Sequence, residues 1–104
     1  MALILASGGE KKIAPTITLS KCVFNFSLDV SDFSNAKLVV TTVHPYVTNT
    51  ISVDGTTYRT IAAGQTVSET INVDVSNAST LGISARAESG YETVDGRQFV
   101  ITLS

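Results

Sequence analysis

From Cys22 to Ser31 the chain alternates in a strict period of two. Cys22, Phe24, Phe26, Leu28 and Val30 share one parity, while Val23, Asn25, Ser27, Asp29 and Ser31 hold the other. That spacing lines five apolar side chains along one face of an extended strand and scatters them around a helix. The pattern recurs. Val67, Ile71, Val73 and Val75 alternate with Ser68, Thr70, Asn72 and Asp74; Leu81, Ile83, Ala85 and Ala87 alternate with Gly82, Ser84, Arg86 and Glu88; Phe99, Ile101 and Leu103 alternate with Gln98, Val100 and Thr102. Glu69 has the inward parity of Val67 and Ile71, so its carboxylate is expected at a sandwich rim or beside a cation such as Arg59 or Arg86.

Composition agrees, since 14 Thr, 12 Ser, 12 Val and 8 Ile stand among 104 residues, and β-branched side chains favour strands. Ile13 to Ser20, where Pro15 suggests an edge or bulge, and Lys37 to Val43 are further extended stretches. Asp54-Gly55 predicts a type I′ hairpin, because both central residues must reach positive φ. Asp95-Gly96 predicts a second one, joining Tyr91 to Val94 with Arg97 to Ile101. Ser31 to Ala36 predicts a single helical turn capped by Ser31. Seven or eight short strands then predict one all-β domain over residues 13–104, a two-sheet antiparallel immunoglobulin-like β-sandwich. Residues 1–12 are expected to form an N-terminal arm or first edge strand.

Several function classes are disfavoured. The seven basic residues are spread along the chain and the net charge is −2, which argues against a phosphate-neutralising nucleic-acid surface. The apolar start, Met1 to Ala6, is too short for a signal segment or a membrane span, so neither export nor a membrane partner is expected. The single cysteine, Cys22, makes no internal disulfide and has inward parity, which predicts a buried, inert thiol. His44, the single histidine, lacks a converging nucleophile or second ligand and is expected to pack in a loop. The acidic groupings Asp29 with Asp32, and Glu88 with Glu92 and Asp95, lack the dense ligand spacing of a calcium loop. No catalytic residue, metal or cofactor is expected, and the chain reads as a non-enzyme.

The stretch Thr60-Ile61-Ala62-Ala63-Gly64-Gln65-Thr66-Val67-Ser68-Glu69-Thr70-Ile71-Asn72-Val73 resembles the middle of immunoglobulin-like sandwiches, where a glycine turn precedes an alternating strand. The resemblance implies two antiparallel sheets in Greek-key order, although the Cys pair and core Trp of antibody-type domains are absent. In size and composition the chain is also similar to small bacteriophage virion proteins: capsid decoration, auxiliary capsid and tail components. That similarity implies a structural module made in the host cytoplasm and located in the virion. It would act by assembly with other virion proteins or with copies of itself. Candidate partner contacts are Leu3, Ile4 and Leu5 in the arm, and Val39, Thr41, Val43 and Val100 on an outer face. An immunoglobulin-like order would set that face beside Ser84 and Arg86. The alternative is a carbohydrate-binding or adhesion module, for which Tyr46, Tyr58 and Tyr91 are the candidate glycan contacts.

Overall fold

The computed structural model describes residues 16–104, and in them the chain forms eight strands: β1 (Thr16–Lys21), β2 (Phe24–Asp29), β3 (Asn35–Thr42), β4 (Val47–Val53), β5 (Thr56–Ile61), β6 (Ser68–Asp74), β7 (Thr80–Ala87) and β8 (Asp95–Leu103). No helix long and apolar enough to cross a membrane occurs among these residues. Two four-stranded antiparallel sheets result, ordered β1-β8-β3-β6 and β2-β7-β4-β5. The all-β, two-sheet sandwich expected from the alternating pattern is what the chain forms.

Its strand order has a simple origin. β4 pairs with β5, β3 with β6, β2 with β7 and β1 with β8. A long antiparallel hairpin is thus rolled up so that successive pairs fall in alternate sheets, which is the arrangement of a jelly roll. This corrects one expected neighbourhood. β7 lies in the opposite sheet from β3 and β8, so Val39 faces Val100 and Thr70 across the ladder, with Ser84 and Arg86 on the far sheet.

Inward parity fills the space between the sheets. Leu38, Val40, Ile51, Ile61, Ile71, Val73, Leu81, Ile83, Phe99, Ile101 and Leu103 are buried in one cluster, with Phe24, Phe26 and Leu28 half-buried against it. Cys22 is buried in a smaller cluster with Val47 and Ala85. Asp54 and Gly55 take φ values of 50° and 82°, as the type I′ hairpin between β4 and β5 requires.

The other expected hairpin does not form. Asp95 and Gly96 begin β8, and Gly96 is buried. A Cβ on Gly96 would lie 2.8 Å from Val47 Cγ1 and 3.1 Å from Cys22 Sγ, so glycine is needed there for close packing rather than for a turn. Residues 31–34 form a turn with no helix. Phe33 N–H donates to the Val30 carbonyl, and Ser34 and Asn35 N–H both donate to Ser104, tying the connection to the end of β8.

Candidate functional site

The β1–β2, β3–β4, β5–β6 and β7–β8 connections gather at one end of the sandwich, where a buried arginine on β8 ties β3, β4 and the β5–β6 connection together. Arg97 continues the inward parity of Phe99, Ile101 and Leu103 and is fully buried. Its Nε donates to Thr42 Oγ1 (3.2 Å), Nη1 to the Val47 carbonyl (2.7 Å) and to Asn49 Oδ1 (3.0 Å), and Nη2 to the carbonyls of Ala62 (2.9 Å) and Gln65. Five donors meet five acceptors, so a cation is held without a carboxylate among these partners. Burial lowers the guanidinium's pKa below its ordinary value, and the neighbouring Cys22 opposes that shift. The same burial pushes the Cys22 thiol up, with Asp95 adding to it and Arg97 opposing it. The signal for Arg97 in the sequence is the parity it shares with Phe99, Ile101 and Leu103, the same kind of signal that marks Glu69.

Beside this hub two tyrosines from distant loops meet. Tyr46, next to the Val47 that Arg97 holds, stacks on Tyr91 with ring centroids 3.9 Å apart and planes 20° from parallel. The Tyr46 carbonyl accepts from Glu88 N–H (2.8 Å), and Tyr91 N–H donates to the Glu88 carbonyl (3.1 Å). Gly90 at φ 94° occupies the third position of the turn from Glu88 to Tyr91, where positive φ is required. Glu92 Oε1 accepts from Gly90 N–H at 3.0 Å. Tyr91 keeps 37% of its surface exposed, whereas Tyr46 is half-buried beneath it. Glu88 and Glu92 are exposed in the same loop.

His44 packs in the neighbouring β3–β4 loop. Its Nδ1 lies 2.9 Å from the Asp95 carbonyl, and a carbonyl only accepts, so Nδ1 is the donor of this bond. Val43 and His44 N–H both donate to the Gly96 carbonyl.

The remaining sequence candidates disperse. Tyr58 lies on β5, 51% exposed, with its hydroxyl donating to the Asn72 carbonyl at 3.4 Å, remote in sequence and sheet position from the stacked pair. Val39 and Val100 are directly opposed on the outer face of their sheet, flanked by Thr18 and Thr70. Thr41 is one row away, opposite Gln98 and Ser68, and Val43 is exposed in the β3–β4 loop. Leu3, Ile4 and Leu5 lie outside the described residues. Among those described, no group of three or more His, Cys, Asp or Glu side chains is placed to hold a metal ion. At the opposite end of the sandwich Val53, Asp54, Asp74, Ser76, Asn77 and Ala78 line a shallow cleft of about 230 Å³. There Asp54 Oδ1 accepts from Ser79 and Thr80 N–H, and Asp74 Oδ1 from Ser76.

No family model and no curated protein matches the chain. In fold it is similar to a solved structure of ZmpB from Clostridium perfringens, comprising the M60 catalytic domain with the CBM51-1 and CBM51-2 domains, at a TM-score of 0.66 and 19% identity. The likeness covers 86% of this chain and 10% of that one, so this chain spans only a small part of its neighbour's length. At that identity the likeness shows the fold alone. The neighbour contains carbohydrate-binding modules and is not a phage protein, so it gives no support to the similarity with virion components.

Proposed function

We propose that this jelly roll is a non-enzymatic carbohydrate-binding module whose contact surface is the loop end carrying Tyr46 and Tyr91. The observation that carries the reading is the stacked tyrosine pair, assembled from the β3–β4 and β7–β8 loops and presenting Tyr91 to solvent. A pyranose ring has an apolar face of C–H bonds that packs on an aromatic ring, and a ring already buttressed by a second ring loses little freedom on binding. The exposed carboxylates of Glu88 and Glu92 supply acceptors for sugar hydroxyls at the edge of such a platform. The fold likeness to a chain that contains carbohydrate-binding modules, and the recurrence of jelly rolls among lectin domains, support the same reading.

A glycan array probed with the wild type, Tyr91→Ala and Tyr58→Ala tests it. Retention by the wild type and by Tyr58→Ala, with a loss of about 1–2 kcal/mol or more in Tyr91→Ala, is the expected result. Equal retention by the wild type and both variants, or none by the wild type, argues against the platform.

A second reading, a structural subunit of a virion, draws on the outer face of β1-β8-β3-β6, where Thr18, Val100, Val39 and Thr70 form an uncharged row. Jelly rolls also build capsids. Detection of the chain in purified particles would favour this reading over the first.

A further inference from the structure

The loop that presents Tyr91 carries two carboxylates and no cation. From Glu88 to Val94 the charged side chains are Glu88 and Glu92, both exposed, three residues before and one residue after the ring that faces solvent. Glu92 is held over the turn, because its Oε1 accepts from Gly90 N–H at 3.0 Å, which leaves Oε2 for a ligand. No Lys or Arg among the described residues is paired with either carboxylate. The cations of this end stand elsewhere. Lys21 is opposite Asp95 in the β1–β8 ladder, Arg86 points outward from β7 beside Thr48, and Arg97 is buried with its five donors used. His44 turns its Nδ1 to the Asp95 carbonyl.

The backbone donors of the loop are used as well. Glu88 N–H donates to the Tyr46 carbonyl, Tyr91 N–H to the Glu88 carbonyl, Val94 N–H to the Tyr91 carbonyl and Gly90 N–H to Glu92. An anionic sugar needs cations or N–H donors, and around Tyr91 it would meet two like charges instead. Ionised carboxylates only accept, so the ligand suited to them brings donors. An ammonium brings three together with a positive charge, bonds a carboxylate about twice as strongly as a neutral hydroxyl does, and is attracted to the face of a tyrosine ring.

We propose that the ligand of the tyrosine platform is an amino sugar with a free ammonium, a hexosamine residue that is not N-acetylated. Its C–H face packs on Tyr91 and its nitrogen meets Glu88 and Glu92 at the margin of the ring. N-acetylation would remove the charge and leave one donor of the three, and a uronic acid would reverse the charge. The inference rests on the carbohydrate reading and narrows it to one class of sugar.

Isothermal titration of the full chain with tetramers of glucosamine, N-acetylglucosamine, glucose and galacturonic acid, in slightly acid buffer that keeps the amine protonated, tests it beside Tyr91→Ala and the double variant Glu88→Gln/Glu92→Gln. Glutamine at 92 keeps an acceptor oxygen for Gly90 N–H. The wild type is expected to bind the glucosamine tetramer about tenfold or more tighter than the glucose and N-acetylglucosamine tetramers, with the galacturonic acid tetramer weakest. In the double variant that ratio should fall to about twofold or less, and salt of about 1 M should narrow it in the wild type. Tyr91→Ala should weaken the glucosamine and glucose tetramers alike, by about tenfold. Should the double variant fail to fold, Glu88→Gln decides by the same ratio, since the Glu88 carboxylate makes no hydrogen bond in the fold. Equal affinity for the glucose and glucosamine tetramers, both lost in Tyr91→Ala, overturns the amine inference and leaves the platform standing. A preference for glucosamine that persists in the glutamine variant overturns it too. Glucosamine binding that survives Tyr91→Ala and vanishes in salt is charge attraction alone and removes the platform with it, as does a failure to bind any of the four tetramers.

Discussion

Arg97 stands on the inward face of β8, and its guanidinium exchanges water for Thr42, Asn49 and three backbone carbonyls. Replacing it by methionine keeps much of the volume but leaves the Val47, Ala62 and Gln65 carbonyls and Asn49 Oδ1 without that donor. The Val47 carbonyl and Asn49 Oδ1 are buried, and each costs about 1–3 kcal/mol when orphaned, whereas Ala62 and Gln65 are exposed and their carbonyls can turn to water. Arg97→Met is therefore expected to lose about 2–5 kcal/mol in urea unfolding. Arg97→Lys, with three donors in place of five, should fall between the two. A methionine variant with an unchanged midpoint would show that the network contributes little. At this scale the sequence was half legible. Parity placed residue 97 with Phe99 and Ile101, but its acceptors come from β3, β4 and the β5–β6 loop, which no local pattern brings together. Gly96 illustrates the same limit: as part of Asp-Gly it reads as a turn, and only the approach of Val47 and Cys22 explains it.

At the scale of the strand, β5 and β6 form a clamped edge. Ile51 pairs with Arg59 while Ser52 pairs with Thr57, leaving Tyr58 as an extra residue whose bulge aligns Arg59 with the inward-facing Ile51. Arg59 then meets Glu69 with both nitrogens, at 2.7 and 2.8 Å, across the gap between the sheets. The hydrogen bonds from Arg59 hold the Glu69 carboxyl below its usual pKa, and those from Ser76 do the same for Asp74. A carboxylate whose folded pKa is depressed adds stability above its unfolded pKa and loses that share as pH falls through the folded value. Both partners are more than a third exposed, so solvent screening keeps the pair's share below about 1 kcal/mol. Glu69→Gln should therefore be slightly less stable than wild type at pH 7, and the two urea midpoints should converge below about pH 4. A gap that persists at pH 3 would contradict the assignment. The inward parity of Glu69 already predicted a rim position or a cation. The choice between Arg59 and Arg86 was decided by tertiary structure, because Arg86 points outward from β7 and Arg59 faces the seam.

Across the whole molecule, the first and last described strands are partners, and the pairing of β1 with β8 closes the roll over nearly its full length. Such non-local ladders must close large loops before their contacts stabilise anything, which slows folding relative to helical domains of equal size. Refolding is expected in milliseconds to seconds, followed by tyrosine fluorescence in stopped flow; a microsecond phase carrying the full amplitude would contradict the topology. Most strands, their inward faces and the Asp54-Gly55 hairpin were legible in the sequence, because a period of two and a turn residue with positive φ act within a few neighbouring residues, whereas the arm expected over Tyr91 to Val94 does not form. Tertiary structure alone decided that β7 leaves the sheet of β3 and β8, that Arg97 becomes a buried hub, and that Tyr46 and Tyr91 meet while Tyr58 stays apart. Those outcomes depend on which edges pair across dozens of residues, and the inward pattern of each strand is satisfied equally well by more than one order of pairing.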